Sequence, residues 1–162
     1  MSARDPDTVV WNDEFTHVLW RAQNAVHRAV QAALDELGVT ATQLGLAVHL
    51  EELGALSAAD LSRGFHLTPQ SVGTALTRLE KIGWADREPH PVHGRVVLYQ
   101  LSTKGLAGVK RGRAIMASVN EQVTSVLGRS ELDGLIAGLR KVTAEIDGPA
   151  GTVQPLWPLR ET

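Results

Sequence analysis

The start and stop signals that decide the fold lie in residues 57–101, SAADLSRGFHLTPQSVGTALTRLEKIGWADREPHPVHGRVVLYQL. Ser57 is an N-cap for a short helix, because its hydroxyl oxygen can accept a hydrogen bond from a backbone N–H of the first turn. Thr68 and Pro69 begin a second helix, since proline is favoured at the first helical position. Gly83 ends this second helix. The stretch therefore begins with two short helices joined by a tight turn.

Two β-like runs follow the second helix, at 85–88 and 95–101, and the loop between them contains two prolines and a glycine. Helix, turn, helix and β-hairpin in this order are typical of a winged helix-turn-helix. We therefore predict a mainly α fold with a small β-hairpin wing.

The second helix has an apolar face and a polar face. The polar face consists of Gln70, Ser71, Gly73, Thr74, Thr77, Arg78 and Lys81. Glutamine can form two hydrogen bonds with adenine, serine and threonine can reach bases or phosphates, and arginine and lysine can bind guanine or the DNA backbone. This face suits the major groove of DNA, and the alternative is a solvated helix face without a partner.

A long amphipathic pattern precedes this stretch. Apolar residues recur at steps of three and four from Trp11 to Leu37, which predicts a helix that ends at Gly38. Thr40 and Gln43 then form a capping box at the start of another helix.

Two further helical patterns follow the hairpin. Ser102 caps a long helix that is predicted to end at Gly128, and Ser130, with Asp133 three residues later, caps a last helix. These helices and the first one carry more apolar surface than a small winged domain can cover. We therefore expect a homodimer, in which a second copy covers that surface.

The composition excludes several classes of protein. Hydrophobic residues make up 43% of the 162 residues and charged residues 21%, which is typical of a globular chain. The absence of cysteine excludes disulfides, thiolate metal sites and cysteine nucleophiles. No apolar run approaches the ~20 residues of a membrane span, so no membrane partner is expected. The N-terminus is polar and acidic, unlike a signal peptide, and we expect a cytoplasmic location.

Net charge is −2 overall, but its distribution is uneven. Residues 57–105 contain 6 lysines and arginines against 4 acidic residues, whereas residues 1–56 contain 3 against 8. The predicted winged segment is thus mildly basic, as a surface that meets phosphate should be. Because the excess is small, a winged-helix module that binds another protein instead of DNA remains the alternative.

A set of residues within 61–105 matches the pattern of a known family, and the match needs no insertion or deletion. The set is Leu61-Ser62-Arg63, Leu67-Thr68, Ser71-Val72, Arg78-Leu79-Glu80-Lys81, Gly83, Asp86-Arg87, Pro89, Pro91, Arg95, Leu98, Leu101-Ser102 and Gly105. In this order it resembles the multiple-antibiotic-resistance regulator (MarR) family of bacterial transcription factors. The resemblance implies a homodimeric repressor that binds a pseudo-palindromic operator in double-stranded DNA and is released by a small aromatic or phenolic ligand.

The resemblance also implies a domain division and a set of DNA contacts. A winged helix-turn-helix domain would span 40–101 and a helical dimerisation domain 10–38 and 102–146. Residues 147–162 are rich in glycine and proline and have no helical period, so we expect a flexible tail there. The expected DNA-binding residues are Thr68, Gln70, Ser71, Gly73, Thr74, Thr77, Arg78, Arg87 and Arg95.

Three positions depart from the family pattern. His66 stands in the turn where members usually have glycine, and histidine tolerates positive φ better than most residues. Thr74 replaces a basic residue in the middle of the recognition helix, so the base preference should differ. His93 stands where an aspartate would orient the wing arginine, Arg95, which we therefore expect to be loosely held.

The first predicted helix suggests a ligand pocket. His17, Trp20, Asn24 and His27, with His49 on the next helix, would provide a flat apolar wall with a few polar groups. The alternative is that Trp20 packs in the dimer interface, where tryptophan is common.

Neither a metal site nor an enzyme is expected. His90 and His93 form the only close histidine pair, and without thiolates a zinc site needs three or four converging ligands. The chain has no nucleophile elbow, phosphate-binding glycine loop or zinc-protease motif. We therefore predict no cofactor and no catalysis.

Overall fold

The structure is a computed structural model that describes residues 13–65 and 67–148. Its helices and strands are α1 (Phe15–Leu34), α2 (Ala41–Leu53), β1 (Leu56–Ser57), α3 (Ala58–Gly64), α4 (Pro69–Lys81), β2 (Ala85–Pro89), β3 (Val97–Leu101), α5 (Thr103–Thr124) and α6 (Arg129–Asp147). A 3₁₀ turn, Asp35–Leu37, extends α1 to Gly38. The predicted fold class, mainly α with a small β-wing, is confirmed.

Some predictions lie outside the described residues. They are those for His66 in the turn, for Trp11 at the start of the first helix, and for the part of the tail beyond Gly148.

Local capping bonds place four of the helix starts where the sequence predicts them. The Thr40 hydroxyl accepts from the Gln43 N–H at 3.2 Å, and the Gln43 side chain accepts from the Thr40 N–H at 3.0 Å. The hydroxyls of Ser57, Thr68 and Ser102 each accept from the backbone N–H three residues later. Each bond satisfies an N–H that has no partner within its helix.

Two predictions on the last helices are wrong. α5 ends at Thr124 rather than at Gly128, and α6 begins at Arg129 rather than after Ser130. The cap of α6 is Gly128, whose N–H donates to the Glu131 carboxylate at 2.8 Å. A glutamate three residues after the cap can bond back to it, so Glu131 displaces the start by two residues.

The wing contains one strand more than the predicted hairpin. β1 pairs with β3 in an antiparallel ladder, in which Leu56 lies opposite Tyr99, and β2 pairs with the other edge of β3. The sheet order is therefore β1-β3-β2. β3 begins at Val97 rather than at Arg95, because the chain at Arg95 is still in a turn.

The core lies between α2, α3, α4 and the sheet, and α1 and α5 close it. Its completely buried side chains include Leu34 of α1, Leu46 of α2, Leu61 of α3, Leu76 of α4 and Val109 of α5. The core thus includes residues of both predicted domains.

α5 packs unusually closely on the winged part. A Cβ atom at Gly108 would overlap the Trp84 ring, and one at Gly112 would collide with Leu44. Both glycines therefore allow the α5 backbone to lie directly on side chains of the winged part. These close contacts pack the long helix directly against α2 and against the residue that precedes β2.

α6 is different, because none of its residues from 129 to 146 is buried. Its apolar side chains remain accessible, including Leu135 at 49% and Ile146 at 76% exposure. Across the described residues, no helix combines the length and the apolar character that crossing a bilayer requires.

Candidate nucleic-acid interface

α4 has the two faces that its sequence predicts. Val72, Ala75, Leu76 and Leu79 are buried against the core. The predicted DNA-binding residues lie on the opposite side: Thr68, Gln70, Ser71, Thr74, Thr77 and Arg78 are exposed, and Gly73 is half-buried. The fold thus brings seven predicted residues together on one accessible helix face.

Hydroxyl groups on this face have defined hydrogen-bond roles. The Thr74 hydroxyl donates to the Gln70 carbonyl at 3.0 Å, and the Thr77 hydroxyl donates to the Gly73 carbonyl at 2.9 Å. A hydroxyl that donates to its own helix can only accept from an outside partner. In this state both threonines offer acceptors and methyl groups, which suit base amino groups and thymine methyls.

The space that a Cβ atom of Gly73 would occupy is open. A Cβ atom at Gly73 would have no heavy atom of the described chain within 4 Å, leaving out neighbouring residues and the helix's own backbone. Packing within the chain therefore does not require glycine here, although glycine costs a helix up to ~1 kcal/mol relative to alanine.

Two of the predicted arginines make weak contacts within the chain. The Nη2 atom of Arg78 lies 3.5 Å from the Gly38 carbonyl, at the end of α1. On β2, the Nε atom of Arg87 lies 3.3 Å from a carboxylate oxygen of Glu80, so an ion pair connects the wing to α4. Both arginines are exposed, and an exposed ion pair such as that of Arg87 with Glu80 contributes only about 0–1 kcal/mol.

Arg95 lies in the turn between β2 and β3, at the end of the wing, and it is exposed. Within the described ranges, no hydrogen bond or ion pair holds its guanidinium. This agrees with the expectation of a loosely held side chain. A cation at the tip of a hairpin is placed to enter a DNA minor groove.

The role of His90 is not visible in the sequence. There His90 forms a close pair with His93, but in the structure it is buried, with 2% exposure, just after β2. Its Nδ1 atom accepts from the backbone N–H groups of Val92 and His93, at 3.1 Å each. Among the described residues, no group of three metal-ligating side chains converges.

The predicted pocket residues are only partly brought together. Trp20, 62% exposed, lies near the His17 ring at 5.9 Å between centroids, and Asn24 donates to the Trp20 carbonyl at 2.8 Å. His27 is exposed on the same helix. His49 instead packs against Phe65, with 4.4 Å between ring centroids.

A groove of about 670 Å³ runs along α1. Its described lining consists of Val18, Trp20, Arg21, Ala22, Asn24, Ala25 and Arg28. Two of the predicted pocket residues, Trp20 and Asn24, thus line this α1 groove, together with two arginines that the sequence analysis did not single out.

A charged cluster joins α2 to α5. Arg113 donates to the carboxylates of Glu51 and Glu52 at 2.8 Å each. These hydrogen bonds raise the pKa of Arg113 above its ordinary value, and the bond with Glu52 has a larger effect than the bond with Glu51. The guanidinium of Arg113 therefore keeps its charge at physiological pH.

Comparisons with known proteins agree with this geometry. The model of the MarR family matches residues 37–96. The HTH-type transcriptional repressor Rv2887 of Mycobacterium tuberculosis strain H37Rv is 31% identical over 111 residues, which are 68% of this chain and 80% of that protein.

Solved structures show the same fold. A probable transcriptional regulator from Pseudomonas aeruginosa has a TM-score of 0.75 at 26% identity, covering 81% of this chain and 98% of that one. The crystal structure of Rv2887 with DNA has a TM-score of 0.67 at 26% identity, covering 80% and 97%. The first of these proteins is a probable transcriptional regulator, and Rv2887 is an HTH-type transcriptional repressor.

Proposed function

The chain belongs to the MarR family of transcriptional regulators, and from this premise we propose that it is a homodimeric repressor of a pseudo-palindromic operator. The observation that carries the proposal is the exposed polar face of α4, which stands opposite a fully buried apolar face. In this proposal residues 40–101 bind DNA, and residues 10–38 and 102–146 form the dimer. A cytoplasmic location, with access to the chromosome, is part of it.

The DNA contacts follow from the chemistry of the exposed residues. α4 lies in the major groove, where Gln70 reads adenine and the threonines accept from base amino groups. Arg87 exchanges Glu80 for a phosphate, and Arg95 enters the adjacent minor groove. The relative Rv2887, whose crystal structure is a complex with DNA, supports DNA binding by this fold.

A salt titration tests DNA binding. Fluorescence anisotropy would measure the affinity for the DNA upstream of the chain's own gene and for a scrambled duplex of equal length. We expect tighter binding to the upstream DNA and a linear fall of log affinity with log salt, about 0.9 per phosphate contact. Equal, salt-independent or undetectable binding would favour the winged-helix module that contacts a protein.

The homodimer is supported by the uncovered helices. Most of the stability of a helix in a protein comes from packing of its apolar face, yet residues 129–146 have no buried member. Phe15 and Val18 on α1 are also half exposed. A second copy is the partner that supplies matching apolar helices, and two-fold symmetry would present two copies of α4 to a pseudo-palindrome.

The α1 groove is the proposed ligand site. The Trp20 indole provides a flat apolar wall, and Arg21 and Arg28 provide cations for a carboxylate or phenolate. A small aromatic acid fits this chemistry. Such a ligand releases DNA only if it binds the free protein more tightly than the DNA-bound protein.

The ligand proposal predicts that Trp20→Ala weakens the response to an aromatic acid more than it weakens operator binding. Salicylate is the probe, and its effect on operator affinity is measured by anisotropy in both proteins. Arg140→Ala, which removes a cation from α6, is the control. If Trp20→Ala only produces monomers in light scattering, Trp20 is an interface residue and the ligand site is refuted.

A further inference from the structure

A buried imidazole stands at the base of the wing. His90 follows β2 directly and is 2% exposed, although the loop that it begins, 91–95, is exposed throughout. Histidine is not among the residues that are most often fully buried. Its burial in a surface loop therefore requires a local reason.

Hydrogen bonds supply that reason. The Nδ1 atom of His90 accepts two backbone N–H groups, those of Val92 and His93, and so carries no proton itself. The His90 N–H donates to the Val96 carbonyl at 2.8 Å, and the Val96 N–H donates to the His93 carbonyl at 2.7 Å. These four bonds close the chain from 90 to 96 into a defined loop.

Arg95 lies inside this loop, directly before Val96. Since no described side chain holds its guanidinium, the direction of Arg95 depends on the backbone. The backbone in turn depends on the acceptor at His90, because two N–H groups of the loop have their bond there. A preorganised backbone lowers the ordering cost that the arginine pays on binding.

We propose that His90 is a positioning residue for Arg95, which holds the wing in the conformation that presents the arginine to DNA. The inference rests on the proposed DNA binding. In this proposal the buried imidazole of His90 orients Arg95, in place of the aspartate that the family pattern has at position 93. His90 touches no DNA itself and acts only through the loop.

Three substitutions distinguish the effect of losing the hydrogen-bond acceptor of His90 from the effect of losing the volume of its ring. His90→Leu and His90→Phe fill the buried space without an acceptor, whereas His90→Asn offers an amide oxygen that can accept from N–H groups two and three residues later. We expect the first two to lose about 3- to 10-fold in operator affinity, as for one poorly ordered side chain. His90→Asn should remain within about twofold of wild type, since it keeps the acceptor.

The decisive measurement combines these changes with Arg95→Ala. If His90 acts through Arg95, His90→Leu should cause no further loss of affinity in the Arg95→Ala background. Amide hydrogen exchange of Val92 and His93 in the free protein should accelerate in His90→Leu and not in His90→Asn.

The outcomes distinguish this inference from the proposed function. Wild-type protein that does not bind DNA overturns both. Wild-type binding with an unchanged affinity of His90→Leu, or an equal loss in both backgrounds, overturns only the role of His90. A variant that unfolds globally also overturns it, because His90 would then be a determinant of the fold and not of the wing.

Discussion

At the scale of single residues, the sequence identifies the arginine of the wing but not the hydrogen bonds that fix the loop around it. Arg95 is accessible and without a described partner, as its neighbours in the sequence suggest. The burial of His90 could not be foreseen, because a histidine between two prolines has the composition of an exposed loop. Only the bonds to Val92 and His93 reveal what the imidazole does.

Arg95→Ala should lower operator affinity by about 1–3 kcal/mol and reduce the salt slope by about one unit, because one cation leaves the minor groove. Anisotropy over a range of salt concentrations measures both quantities. Lys110→Ala, which removes an equal charge from the exposed side of α5, is the control and should leave both nearly unchanged. Unchanged affinity and slope in Arg95→Ala would mean that the wing does not touch DNA.

At the scale of elements, glycine has a different structural role in α4 and in α5. Gly73 on α4 has open space where a Cβ atom would lie, whereas Gly108 on α5 lies directly against Trp84. The first glycine is dispensable for the folded chain, and the second is required by its packing. The helical pattern of the sequence does not distinguish the two.

Gly73→Ala should raise the free energy of unfolding by up to ~1 kcal/mol, since alanine is the better helix former. It should also weaken operator binding, because a methyl group would separate the α4 backbone from the groove. Urea denaturation and anisotropy measure the two effects.

Gly108→Ala is the matched control for this substitution and should instead destabilise the fold by about 1–3 kcal/mol through overpacking. Gly73→Ala with unaltered operator affinity would show that α4 does not approach DNA closely at this point.

At the scale of the whole molecule, one charged cluster connects helices that are distant in the sequence, and one helix remains uncovered. The Arg113 cluster joins α5 to α2 through Glu51 and Glu52, which lie 62 and 61 residues away in the sequence. α6, in contrast, keeps its apolar side chains accessible, and in the proposed homodimer a second copy covers them.

Ile136→Glu should convert the dimer to a monomer, because Ile136 is an exposed apolar residue of α6 and a buried carboxylate without a partner is costly. Light scattering should give about twice 17.5 kDa for wild type and 17.5 kDa for the variant. Lys141→Glu, an exposed polar position of the same helix, is the control and should remain dimeric. Wild-type protein that is a monomer at micromolar concentration would refute the dimer.

The sequence by itself determined most helix starts and the two faces of α4. Thr40, Ser57, Thr68 and Ser102 each bond within three residues along the chain, so a short window contains both partners of the interaction. At α6 the prediction failed because the local bond that decides its start runs from the Gly128 N–H to the Glu131 carboxylate and does not involve Ser130.

The tertiary structure decided the pairings between distant segments. β1 consists of Leu56 and Ser57 alone, too short for any alternation to be visible, and it exists because β3 lies beside it. The contact of α5 with Trp84 and the ion pairs of Arg113 likewise join residues far apart in the chain. Such interactions depend on which surfaces the fold places next to each other, and the local pattern of a sequence does not contain that information.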